Sequence, residues 1–422
     1  MTAIEIAAQI TDHLLSQVFR DGGRASWLRP SRPPGPGGRE LVAATPLDGS
    51  LATGTAGVAL FLAEYARQRD DEAAEDVAHE AIMHALDWAD RSTASGLYDG
   101  VSGVAVAAAR IAAVLDAPQI RARGEAAWAR RQGVADGEND LYSGLAGQVL
   151  AALALDRQGT ARDLCDELLL RAQTTEMGTA WATGRPEDRH TFLLGFAHGV
   201  SGIAYALATA GGELGRRDYL AAAAAGCRYE RVYWDSHWNN WPDLRSSAPT
   251  LTSSARQFIW AWCHGAPGIA VSRLVLSPDH PECSAELHEA VESTIWMTDR
   301  QLLADDADLC LCHGALGNVE IALTCGLRAD RTMWVEWAKD RIESLTESRL
   351  IEALEWSTGT GPSGDPSLIG GAAGIGLTAL HCHDRSTPSV LAVNPTFTHV
   401  GMTTATPRNR GLRPPTRVAS VR

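Results

Sequence analysis

Four long stretches of the chain carry apolar residues at three- and four-residue intervals: TAIEIAAQITDHLLSQVFR, EAAEDVAHEAIMHALDWADR, ARDLCDELLLRAQ and AELHEAVESTIWMTDRQLL. Acids and arginines fill the gaps. That period lays one apolar stripe along a helix, so each stretch predicts an amphipathic helix packed on one face. Between them lie segments of another kind, almost entirely small or apolar, such as VSGVAVAAA. A helix with no polar face belongs in an inner, crowded layer. No train of alternating strands interrupts the pattern, and the fold class is all-α.

The second kind of segment recurs. TGTAGVALFL, DGVSGVAVAA, SGLAGQVLAA, HGVSGIAYAL, HGAPGIAVSR, HGALGNVEIA and GGAAGIGLTA share a G-x-x-G core, with first glycines at Gly54, Gly100, Gly144, Gly199, Gly265, Gly314 and Gly371. The spacings are 46, 44, 55, 66, 49 and 57 residues, room for two helices and their loops. Helix pairs that close on themselves give an α/α toroid of seven inner and seven outer helices built from seven repeats. If each motif opens an inner helix, the residue before it lies at one rim of the barrel. Residues 1–395 then form one domain. Residues 396–422, rich in Arg and Pro, read as a disordered tail. SRPPGPGGRE (31–40) and the connection at 235–254 read as loops.

Composition narrows the chemistry. The 422 residues carry a net charge of −14, and Lys339 is the single lysine. A phosphate-loop lysine, a kinase lysine and most Schiff-base chemistry are thereby excluded, and the acidic balance argues against nucleic acid as a partner. Glu5 and Asp12 interrupt the N-terminal segment where a secretion signal needs an apolar core, and no run of 18 apolar residues predicts a membrane span. The expected location is the cytoplasm. Eight cysteines in so long a chain are too sparse for a disulfide framework, leaving core thiols, metal ligands or nucleophiles.

The residue before each first glycine is Thr53, Asp99, Ser143, His198, His264, His313 and Gly370. Three histidines fall consecutively in register. Cys263-His264 and Cys312-His313 put two thiols and two imidazoles in equivalent slots of adjacent repeats, a donor set that suits zinc. Cys310 faces another way on a short turn and reads as core, and Asp99 reads as a helix cap.

Together HGxxG, WCHGAPGI, LCHGALGN with the following VEIAL, and SLIGGAAGIGLTAL resemble the motifs of lanthionine synthetase C-like cyclases over about residues 45 to 395. WCHG, NNWPDLR and TPSVLAVNP are most similar to the cyclase half of bifunctional class II (LanM) lanthipeptide synthetases. The large dehydratase region of those proteins is not in this sequence, so the resemblance implies a stand-alone relative or a split cyclase. It also implies Zn2+ held by Cys263, Cys312 and His313 with a fourth position for a substrate cysteine. His198 takes the place of the catalytic histidine, and Asp140 that of an acidic partner which helix capping would explain equally well. His264 and Arg256 become substrate-contacting or supporting residues. The implied reaction adds a peptide cysteine to dehydroalanine or dehydrobutyrine in a dehydrated precursor peptide, with a separate dehydratase as a further partner.

Other functions stay open at this level. Glycoside chemistry uses carboxylate pairs on similar barrels, but Asp99 and Asp140 are the only acids near the motif glycines. A zinc-stabilised peptide-binding scaffold, or an enzyme adding a small thiol such as glutathione, would carry the same residues.

Overall fold

After a first helix, α1 (Ala3–Gln17), helices of two kinds alternate: α2 (Thr55–Arg69) and α3 (Glu72–Ala89), α4 (Val101–Leu115) and α5 (Pro118–Ala129), α6 (Leu145–Ala154) and α7 (Gln158–Arg171), α8 (Val200–Leu214) and α9 (Arg217–Arg231), α10 (Ala266–Leu276) and α11 (Pro281–Gln301), α12 (Ala315–Arg328) and α13 (Thr332–Glu343), and finally α14 (Ala372–His383). This computed structural model describes residues 1–31, 43–131, 138–182, 192–245, 257–304, 307–347, 350, 354 and 364–400. The even-numbered helices form the inner layer. Each is capped by the first glycine of its motif, and α4, α6 and α8 are buried along almost their whole length. Every inner helix packs on the next, and α14 packs on α2, so the ring closes. Among the described residues, no helix is long and apolar enough to cross a membrane.

The second glycine of each motif has a steric reason. A Cβ on Gly57, Gly103, Gly147, Gly202, Gly268, Gly317 or Gly374 would run into the carbonyl oxygen six residues earlier, and on most of them also into a side chain of the neighbouring repeat. The motif is therefore the contact by which one repeat seats on another.

Backbone hydrogen bonds run around the rim from each repeat to the next: Ile369 N–H to Ala52, Ala52 to Tyr98, Tyr98 to Tyr142, Tyr142 to Ala197, Ala197 to Cys263, and Cys312 to Ile369, at 2.9 to 3.2 Å. Among the described residues, no such bond runs from Cys263 to Cys312. The circle opens where the two Cys-His slots meet.

The outer layer is amphipathic, as the apolar stripes predict. Odd-numbered helices α3 to α13 cover the inner helices that precede them, whereas α14 is covered by α1. At this seam Gly376 lies so close to the Phe61 ring and to Ile10 that it has no room for a side chain. Among the described residues, strands are confined to antiparallel pairs in the connections: β1 (Phe19–Asp21) with β2 (Arg24–Ser26), β3 (Leu28–Ser31) with β4 (Ala43–Pro46), β5 (Gln173–Thr175) with β6 (Gly178–Ala180), and β7 (Pro242–Asp243) with β8 (Gln257–Phe258).

Beyond α14 the chain enters the lumen. The Tyr98 hydroxyl donates to Val390 O (2.7 Å), Trp262 Nε1 to Leu391 O (3.0 Å) and the Tyr205 hydroxyl to Ala392 O (3.1 Å). Donors from the second, fourth and fifth repeats can meet on one short segment only inside the ring. Val390 to Val393 thus plug the barrel below the rim. Phe397 and Thr398 are also buried, so packed chain continues past residue 395; residues 401–422 lie outside the described residues.

The plug is anchored by Arg110 of α4. Its guanidinium is fully buried, pairs with Glu64 (2.5 Å) and donates to the carbonyls of Ser386 and His399 on either side of the plug. Replacing it leaves the buried Glu64 carboxylate with Arg67 (2.9 Å) as its remaining ion-pair partner, strands the carbonyls of Ser386 and His399 and frees both ends. Arg110→Leu should cost about 3–5 kcal/mol of stability, read from denaturant unfolding; a loss below 1 kcal/mol would show that the anchor is dispensable.

Candidate metal centre and catalytic site

The rim gathers side chains from four repeats. Cys263 and His264 sit just before the N-cap of α10, where Gly265 takes a left-handed φ of 93°. Cys312 and His313 hold the same slots before α12. The Cys263 and Cys312 side chains lie close enough for each to set the other's ionisation. That contact, outweighing burial and helped by the Arg245 charge, lowers the Cys263 pKa to about 7, while its partner Cys312 is pushed up. A helix N-terminus also favours a thiolate at this place.

His313 Nε2 lies 3.2 Å from Asp308 Oδ2. The Asp308 hydrogen bond, with Cys310, raises the His313 pKa to about 10. Ligand atoms of Asp308, Cys310 and His313 come within 4.8 Å of one another. Among the described residues Cys263, Cys312 and His313 do not gather as tightly as this, although the His313 charge acts on Cys263, so two donor sets share His313. Two soft thiols and an imidazole fit zinc better than one thiol and a carboxylate. A carboxylate on the far nitrogen is also the usual support of a ligating histidine. By donor chemistry Cys263, Cys312 and His313 fit a zinc ion. Cys310 is buried and its sulfur accepts the His313 N–H at 3.5 Å.

His198 and Asp140 meet. His198 Nδ1 is 2.8 Å from Asp140 Oδ2, and Asp140 Oδ1 accepts the N–H groups of Ser143 (2.8 Å) and Gly144 (2.9 Å). One oxygen caps α6 and the other orients the imidazole, so capping and orienting coexist. Burial would lower the His198 pKa, but the Asp140 hydrogen bond and charge, helped by Cys263, prevail and raise it. Asp99, read as a cap, accepts the Ser143 hydroxyl at 2.6 Å and extends this network. His264 is buried beside His198, ring centroids 6.2 Å apart. Its Nδ1–H donates to Leu194 O, and burial, with Arg245, lowers its pKa to about 4. It stays neutral.

Besides Asp308, two contributors escaped the sequence. Arg245, at the exposed edge of the site, donates to Asp243 Oδ1 (3.0 Å) and Oδ2 (2.6 Å) and its charge acts on Cys263, His264 and His198. The peptide NNWPDLR contains it, but its approach to the thiols is made by the β7–β8 pairing, which has no sequence signature. Tyr142 lies tilted by 39° against His198 at 5.2 Å and stacks on Tyr98 at 5.3 Å. Burial raises its hydroxyl pKa, so it remains a proton donor. Arg256 lies outside the described residues.

A fold of this kind, with thiols and imidazoles at one rim, points to one class of protein. The chain belongs to the lanthionine synthetase C-like protein family, whose model matches residues 45–393. Among solved structures it is similar to nisin cyclase, with a TM-score of 0.64 and 16% sequence identity over 83% of this chain and 93% of that one. The curated proteins give no match.

Proposed function

We propose that this chain is a zinc-dependent lanthipeptide cyclase, adding cysteine thiolates of a dehydrated precursor peptide to dehydroalanine or dehydrobutyrine to form lanthionine or methyllanthionine thioethers. The observation that carries this reading is the convergence on one rim of the Cys263–Cys312 thiol pair and the His198–Asp140 pair. Family membership supports it.

Cys263, Cys312 and His313 would hold the metal, with Asp308 taking the N–H at Nε2 of His313. The chemistry that zinc supplies there is to keep a peptide thiol deprotonated near neutral pH while two thiolate ligands leave it electron-rich. The chain's own groups carry the remaining steps. As the new S–C bond forms at the β-carbon, the alkene electron pair moves toward the α-carbon and its carbonyl oxygen. Arg245, fixed by Asp243, offers a positive charge to that oxygen. His198, protonated and held through Nδ1 by Asp140, presents its Nε2 proton to the α-carbon. Tyr142 and neutral His264 hold the ring of His198 from its sides, and the Val390–Val393 plug floors the site below them.

The test uses a pre-dehydrated cysteine peptide. Ring closure leaves its mass unchanged and should remove the thiol from reach of an alkylating reagent. Adding glutathione should give no mass adduct if the peptide's own cysteine is the nucleophile. Undiminished thiol labelling after long incubation would reject the proposal. Water loss from serine or threonine is assigned to a separate dehydratase. All eight cysteines are free, which suits the reducing cytoplasm.

A pH effect follows from the His198 environment, which comprises Asp140, Asp99, Cys263, His264 and Arg245. The acid is active when protonated, below its pKa, and Asp140 raises that pKa. Asp140→Asn should therefore move the alkaline limb of the cyclisation profile to lower pH. A limb that stays in place would remove Asp140 from this role.

A further inference from the structure

On the outside of the barrel, a cleft of about 590 Å³ opens between the turn that precedes β7 and one face of α11. Trp238 stands on the turn and Trp296 on the helix, 45% and 51% exposed. Most of the large side chains near them are buried, so two tryptophans facing water across one cleft call for an explanation. The turn is built rather than loose. The Asp235 carboxylate accepts the N–H groups of His237 (2.9 Å) and Trp238 (3.3 Å), Asp235 pairs with Asn240 through the backbone, and Asn239 takes a left-handed φ of 47°. Trp238 also stacks on Phe258 of β8 at 5.7 Å. It is held in place while exposed.

The opposite wall brings charge. Glu289 and Glu292 line the cleft beside Trp296; Glu292 accepts the Trp334 N–H at 2.8 Å, and Arg300 lies over the outer side of Trp296 at 4.9 Å. The whole chain is acidic at −14. Apolar rings flanked by two carboxylates match an apolar side chain next to a cation. Short chain connections also tie the cleft to the rim. Trp260, whose Nε1 donates to Ser293 on the cleft floor (2.8 Å), lies three residues before Cys263, and the turn bearing Trp238 leads through β7 to Arg245.

We propose that this cleft is a docking site for a linear peptide segment in which an aliphatic or aromatic residue neighbours a lysine or arginine, and that this segment belongs to the peptide whose thiols react at the rim. The second half of that statement rests on the cyclase reading. The first does not. A segment held here would raise the local concentration of the reacting residues without touching the chemistry.

The experiment has a binding arm and a turnover arm, both on the full chain. In the first, a fluorescein-labelled decapeptide of alternating leucine and lysine is titrated by fluorescence anisotropy against leucine–glutamate and serine–lysine counterparts. Saturable binding of the leucine–lysine probe alone is expected, weakening with salt. Trp238→Ala with Trp296→Ala, and separately Glu289→Gln with Glu292→Gln, should each weaken it about tenfold or more, with unchanged thermal unfolding. Equal binding by the tryptophan double variant, or by the leucine–glutamate probe, would overturn the docking site. In the second arm, a pre-dehydrated cysteine peptide is offered with and without the leucine–lysine segment fused to it. The fusion should lower KM in the wild type, and the tryptophan variant should erase that gain with kcat unchanged. A KM gain that survives in the variant would overturn the link between cleft and substrate. No ring closure of either peptide, beside cleft-dependent binding in the first arm, would sink the cyclase reading and leave the docking site standing.

Discussion

Purified protein is expected to carry close to one zinc per chain, and Cys263→Ala or Cys312→Ala should bring that content to background and abolish ring closure. Removing one of three protein ligands leaves two, too few to hold a catalytic zinc against dilution. The same measurement on Cys310→Ala separates the two donor sets that share His313. If Cys263 and Cys312 hold the ion, Cys310→Ala keeps its zinc, because its thiol serves only the turn that positions Asp308 and His313. Zinc retained by the Cys263→Ala, Cys312→Ala double variant and lost from Cys310→Ala would transfer the site to the Asp308 turn. Zinc uptake should also release protons, since the Cys312 thiol and the His313 imidazole are both held protonated in the metal-free chain.

The second large effect concerns His198. His198→Asn keeps the hydrogen bond to Asp140 within reach but offers no transferable proton, so turnover should fall roughly 100-fold or more. Zinc content and peptide affinity should be unchanged, because His198 is neither a ligand in this reading nor part of the core. A variant that cyclises at the wild-type rate would make His198 a rim side chain without chemistry. Loss of zinc alongside the rate would make it a structural support of the thiol pair.

The ring was legible in the chain because sterics write it there. Gly57, Gly103, Gly147 and their counterparts cannot be anything larger where a carbonyl oxygen fills the space of a Cβ, so the repeat survives as a pattern of glycines. His198 and Asp140 were legible in the same way, as fixed offsets from those glycines. Contacts without an offset were hidden. Arg245 reaches the thiols only through the pairing of β7 with β8, and Asp308 engages His313 through an irregular turn. The plug meets Tyr98, Tyr205 and Trp262 from far along the chain. Nor does any local pattern reveal that the outer partner of α14 is α1.

That seam sets the order in which the molecule can be completed. All six other inner helices lie between Gln17 and Ala372, so during synthesis the apolar stripe of α1, with Ile6, Ile10 and Leu14, waits for its partner until every other helix of the ring has left the ribosome. Closing so long a loop is entropically slow, and the nascent chain must shelter an open-ended arc of repeats in the meantime. The same geometry makes the starting point of the polypeptide arbitrary to the finished ring. A circular permutant whose new ends fall in the turn between α2 and α3, with the old ends bridged by a linker long enough to run around the outside, should rebuild the same circle with its final closure moved to a different pair of helices.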